Sequence, residues 1–138
     1  AGIEAQMGVL HYMLGNYSES YNTLKNAISK LRAAGEKKTA FFAIALNQMG
    51  LACVQRYALG EATELFEEAK NIMEQEYGPY HHETLGVYSN LAGTYDAIGR
   101  VDEAIQILEY VVGMREEKLG TANPDVDDEK RRLSELLK

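Results

Sequence analysis

Few residues of this chain carry the chemistry of a reactive centre, and their spacing suits one poorly. Cys53 is the only thiol. It falls inside an apolar pattern at helical spacing, which predicts a buried, inert side chain rather than a nucleophile. A lone cysteine cannot make an internal disulfide, which fits a reducing compartment. His81, His82 and Glu83 offer three metal-ligand types in a row, but side chains of adjacent residues rarely converge, so no metal site is expected there. His11 reads as a packed or partly exposed helix residue rather than a general base. The acidic run of Asp125, Asp127, Asp128 and Glu129 lacks the glycine and ligand spacing of a calcium loop, and reads as a solvated helix start. No nucleophile motif is present, and no glycine-rich phosphate loop follows a strand, because no strand is predicted. These readings name no catalytic, cofactor-binding or metal-binding residue and predict a protein that is not an enzyme.

The elements that position these side chains follow from a self-alignment. Shifted by 42 residues, the chain falls into register with itself three times without a gap. Met7-Gly8 lies over Met49-Gly50 and Leu91-Ala92, and Glu19-Ser20 over Glu61-Ala62 and Glu103-Ala104. Tyr17, Leu59 and Val101 form one apolar column, Leu24, Phe66 and Leu108 another. Ala27, Ala69 and Val111 form a column of small or modest residues. Such periodicity marks a stacked array, in which each copy buries its apolar face only against its neighbours.

Within a copy the apolar residues recur at helical spacing in two runs separated by a short turn. In the third copy the first helix is expected from about Thr84 to Ile98, with Leu85, Tyr88, Leu91, Ala92 and Tyr95 packed. The second is expected from Val101 or Asp102 to Lys118, with Ala104, Ile107, Leu108, Val111 and Val112 inward and Gly120 as terminator. Gly8, Gly50 and Ala92 on first helices, with Ser20, Ala62 and Ala104 on second helices, leave room for close approach. A large residue at Ala62 or Ala104 should force the pair apart. From Asn123 the sequence reads as a helix start, with Asn123 as cap, Pro124 first and acids near the positive end of the dipole. Leu133, Leu136 and Leu137 then form one apolar stripe. The domain reading is approximately 1–40, 41–82 and 83–122 for three repeats and 123–138 for a helix that closes the array. The start at Ala1, already in helical phase and without an initiator methionine, is read as an excerpt from a longer array.

Composition bounds the function. Apolar residues at 46% and charged residues at 25% describe a globular chain. Its longest apolar stretches, such as Ala40 to Leu46, are too short to span a bilayer, and neither membrane insertion nor a secretion signal is expected. A formal charge of -7 argues against unaided binding to nucleic acid or acidic membranes and favours a basic partner.

A helix pair with Gly8, Gly50 or Ala92 at its eighth place resembles the tetratricopeptide repeat when it also carries Gly15 or Gly99, then Ser20, Ala62 or Ala104, then Leu24, Phe66 or Leu108, and Ala27 or Ala69. That family usually repeats every 34 residues or so. The longer period, with Leu119-Gly120-Thr121-Ala122-Asn123-Pro124-Asp125-Val126 and Tyr77-Gly78-Pro79-Tyr80-His81-His82-Glu83-Thr84, is similar to the repeats of kinesin light chains. So is the segment Tyr88-Ser89-Asn90-Leu91-Ala92-Gly93-Thr94-Tyr95. The last copy, through Val111-Val112-Gly113-Met114-Arg115-Glu116-Glu117-Lys118, looks closest to the plant kinesin-light-chain-related proteins. Departures from the pattern are Tyr57 for the usual glycine, Val111 for a small residue, His82 for proline, and a first copy without the Leu-Gly turn.

The resemblance implies an all-α, right-handed superhelix of three helix pairs plus the closing helix. It also implies a concave face, lined by first helices, that receives a peptide. Its groove places carried onto this chain are Gly2, Ala5, Val9, Tyr12 and Met13; Ile44, Asn47, Leu51, Val54 and Gln55; and Gly86, Ser89, Gly93, Asp96 and Ala97. Asn47, Gln55 and Ser89 are able to bond a peptide backbone. A second reading of Val9, Leu51 and Val54 is packing between repeats or against a further helix. The plant resemblance implies a cytoplasmic, cytoskeleton-associated adaptor linking microtubules, basic calmodulin-binding scaffold proteins and membrane cargo. The competing reading, a co-chaperone clamp for a chaperone's C-terminal peptide, is weakened because these places contain no Lys or Arg to neutralise a terminal carboxylate.

Overall fold

A computed structural model of the chain describes residues 2–36, 38–119 and 124–138. Seven helices and no strand occur among them: α1 Gly2–Met13, α2 Tyr17–Ala33, α3 Ala40–Gln55, α4 Leu59–Tyr77, α5 His82–Ala97, α6 Val101–Leu119 and α7 Pro124–Leu137. The described helices form the expected all-α array, three helix pairs followed by a closing helix, each helix packed on the next in chain order. First helices α3, α5 and α7 begin at Ala40, His82 and Pro124, and second helices α2, α4 and α6 at Tyr17, Leu59 and Val101, so the 42-residue period governs helix boundaries as well as side chains. Helix α5 starts two residues before the expected Thr84, because the His81 ring accepts a hydrogen bond from the Glu83 backbone N–H at 3.1 Å and caps the helix. The expected cap Asn123 and terminator Gly120 lie outside the described residues.

The turn inside each hairpin is closed in the same way three times. The N–H groups of Asn16, Ala58 and Arg100 each donate to the carbonyl five residues back, on His11, Cys53 and Tyr95, at 2.8 Å. This closure needs a left-handed residue just before the donor, supplied by Gly15 (φ 82°) and Gly99 (φ 88°). In the middle copy Tyr57 takes that conformation at φ 60°, so the missing glycine costs strain and leaves the turn shape intact.

Close approach within a pair rests on the small column. A Cβ added at Gly8 would meet the Leu24 side chain at 2.5 Å, and one at Gly50 would meet the Phe66 ring at 2.6 Å. Leu24, Phe66 and Leu108 are buried in one continuous seam with Ala27, Ala62, Ala69, Leu91 and Ala104. In the first pair Ser20 also donates its hydroxyl to the Gly8 carbonyl at 2.7 Å, which satisfies the buried oxygen and fixes the spacing.

Polar links join successive copies. Tyr21 on α2 donates to Glu61 on α4 at 2.7 Å, and Arg32 makes a two-pronged pair with Glu68. Tyr95 and Tyr88 on α5 donate to Glu67 and Glu74 on α4. Helix α7 is fixed by a buried ion pair, Arg115 to Glu129 at 2.7 Å, with His82 beside the same guanidinium at 3.1 Å. Among the described residues no helix is long and apolar enough to cross a membrane.

Candidate functional site: a face of first helices

First helices α1, α3, α5 and α7 lie side by side, and a hollow opens between each adjacent pair. The hollow between α1 and α3, about 240 Å³, is lined by Ala5, Gln6, Val9, Leu24, Phe41, Ile44, Ala45 and Gln48. Between α3 and α5 a second hollow of about 240 Å³ includes Leu51, Val54, Phe66, Ser89, Gly93 and Arg132. A third, about 190 Å³, lies between α5 and α7 and is formed by Ala92, Gly93, Asp96, Leu108, Arg132, Glu135 and Leu136. Two columns of the repeat recur in all three: Leu24, Phe66 and Leu108 on second helices, and Val9, Leu51 and Gly93 on first helices. The hollows are thus one structural notch repeated, with other positions changing its chemistry from apolar to charged.

The expected groove residues divide accordingly. Val9 and Ile44 meet in the first notch, Leu51, Val54, Ser89 and Ala97 in the second, and Asp96 in the third. Tyr12, Met13 and Gln55 line none of the three; Tyr12 packs on Tyr17 at 5.3 Å and Met13 is exposed. Two candidate peptide-bonding groups already have partners. Asn47 accepts a hydrogen bond from Asn90 at 2.9 Å, and Ser89 accepts through its hydroxyl at 3.1 Å and its carbonyl at 3.2 Å from Arg132. These are equivalent bonds, each spanning 43 residues, and they form polar rungs between neighbouring first helices.

Sequence reasoning missed Phe41, exposed at the mouth of the first notch, and Arg132, which brings a guanidinium onto a face expected to hold no cation. Repeating the self-alignment at 43 residues would have paired Asn47 with Asn90 and Ser89 with Arg132. At Gly93 an added Cβ would sit 3.0 Å from that guanidinium, so the glycine gives Arg132 its bed.

Elsewhere the chemistry is quiet. Burial pushes the Cys53 thiol up to about 12, with Glu61 nearby adding to the shift, so the thiolate is scarce at neutral pH. His11 lies half-buried, 3.6 Å from Glu19. Among the described residues no group of three or more metal-ligating side chains comes together.

Known proteins place this architecture. The chain is 76% identical over its whole length to Protein KINESIN LIGHT CHAIN-RELATED 2 of Arabidopsis thaliana and 74% identical to Protein KINESIN LIGHT CHAIN-RELATED 3, spanning 21% of each. Its fold matches a crystal structure of BtubC (BKLC) from P. vanneervenii, with a TM-score of 0.90 at 20% identity, over 98% of this chain and 54% of that one. It also matches nearly identical TPR-like repeats from a Podosopora anserina protein designated a kinesin light chain, with a TM-score of 0.87 at 20% identity, over 96% of this chain and 63% of that one. At such identities the solved structures speak for the fold alone. The tetratricopeptide repeat family model matches residues 41–117, more than half of the sequence, and the chain belongs to that family.

Proposed function

We propose that this chain is a non-enzymatic interaction scaffold that holds a partner polypeptide along the face of its first helices. The observation that carries the reading is the threefold notch: a hollow between each pair of adjacent first helices, built on the same two columns, with Phe41 and Ile44 exposed at the mouth of the first. Connected apolar surface of this kind on a stacked array is the usual docking ground for extended or helical peptides.

The whole protein is a cytoplasmic, cytoskeleton-associated adaptor of the microtubule and kinesin system, with basic calmodulin-binding scaffold proteins or cytoskeletal components as partners. Similarity along the whole of this chain to kinesin-light-chain-related proteins, of which it spans 21%, supports this, and so does the acidic charge of -7, which favours a basic partner and disfavours acidic ones. A purified basic calmodulin-binding scaffold protein should be retained by the immobilised chain, and Leu51→Asp or Val54→Asp should abolish retention while circular dichroism shows unchanged helicity. Retention undiminished in both variants would move the site to another surface.

A further inference from the structure

The three notches repeat one geometry with different chemistry, and that difference specifies a ligand. Resting on the reading above, we infer that the first-helix face recognises an extended segment with a large apolar residue for the α1–α3 notch and an arginine or lysine roughly six residues away for the α5–α7 notch.

The spacing comes from the lattice of the fold. First helices of adjacent copies are set about one helix diameter apart, roughly 10–12 Å, and an extended chain advances about 3.3 Å per residue. Every third residue therefore faces a new notch, and two steps separate the first from the last. The apolar end is set by Val9, Leu24, Phe41 and Ile44, with Phe41 and Ile44 exposed and offering no charge. The opposite end is set by Asp96 on α5 and Glu135 on α7, which face one hollow from its two walls. Both are exposed, and neither stands within ion-pairing distance of a cation among the described residues. Arg132 shares the hollow, but its guanidinium bonds to Ser89, so two carboxylates face one engaged cation and the notch keeps net negative charge. The chain's overall charge of -7 draws the same kind of ligand.

The test uses labelled peptides about twelve residues long in a Ser/Thr background. One carries Leu and Arg with five residues between them. A second replaces Arg with Glu, a third replaces Leu with Ser, and a fourth moves Arg next to Leu. Fluorescence anisotropy against the 138-residue chain should rank the first peptide at least tenfold tighter than the other three. Asp96→Lys with Glu135→Lys should weaken it at least tenfold. Glu64→Lys with Glu109→Lys, an equal charge change at exposed positions on second helices α4 and α6, should weaken it less than twofold. Equal losses in the two double variants would reduce the attraction to overall charge and overturn the inference. Preference for the Glu peptide, indifference to the spacing, or no binding of any peptide would overturn it as well. The broader scaffold reading is scored separately: if Leu51→Asp still abolishes retention of the scaffold protein, the face binds a partner of other chemistry.

Discussion

Helix α1 and helix α3 carry the same columns in opposite circumstances. Ile3, Met7 and Leu10 on α1 are 74%, 49% and 56% exposed, whereas their equivalents Ala45, Met49 and Ala52 on α3 are 3%, 4% and 0% exposed. Side-chain size does not explain this, since Met7 and Met49 are the same residue in the same column. The difference is the neighbour: α3 packs against α2 of the preceding copy, while α1 has no second helix on that side among the described residues. Burial in a stacked array is therefore set by what lies next to a copy as much as by the copy's own sequence.

The methionine pair tests this most directly and carries the largest expected effect. Met49→Ala should destabilise the chain by about 2–5 kcal/mol, as large-to-small changes in closed cores do, whereas Met7→Ala should stay within about 0.5 kcal/mol. Urea titrations of the two variants would settle it, and equal losses would break the comparison. Next in size is Gly50→Ala in the interior pair, where a new Cβ presses on the Phe66 ring; overpacking should cost about 1–3 kcal/mol. The same change at Gly8 presses on Leu24, whose helix pair is covered on one side only, so a smaller loss there would sharpen the contrast. Replacing Tyr57 with glycine should stabilise by about 1 kcal/mol, read as a raised melting temperature, because it relieves a left-handed tyrosine in an exposed turn. Gly99→Tyr in the third copy should do the reverse.

The smallest effect is a pH dependence at the seams between copies. The bond to Glu61, then burial, lifts the Tyr21 hydroxyl from its ordinary 10.0 to about 12, and burial, then the bond to Glu67, does the same for Tyr95. Protonated tyrosine is thus held more tightly in the fold than in the unfolded chain. The stability these bonds add is complete below pH 10 and is lost as pH rises towards 12. Tyr21→Phe with Tyr95→Phe should flatten that decline in thermal melts across the window.

Helix order, boundaries and the packed seam were legible in the sequence because a gapless period constrains all copies at once. Even Tyr57 announced itself, standing where Gly15 and Gly99 stand. What stayed hidden depends on the direction of single long side chains. Periodicity places Arg132 on a helix but does not say that it reaches across to Ser89, and it lists Asn47 as free while Asn90 occupies it. Phe41 was missed because its column is occupied by the acidic Glu83 one period later; both positions are exposed in the first turn of their helices, and only Phe41 makes that position apolar.

The sole cysteine supplies a built-in clock. Cys53 is fully enclosed on α3, the middle hairpin's first helix, and the chain has no second thiol to compete with it. Alkylation must wait for that hairpin to part from its neighbours, so the labelling rate of the unaltered protein counts those separations. A ligand that bridges adjacent hairpins would slow the count, and one that settles on a single hairpin would leave it running as before.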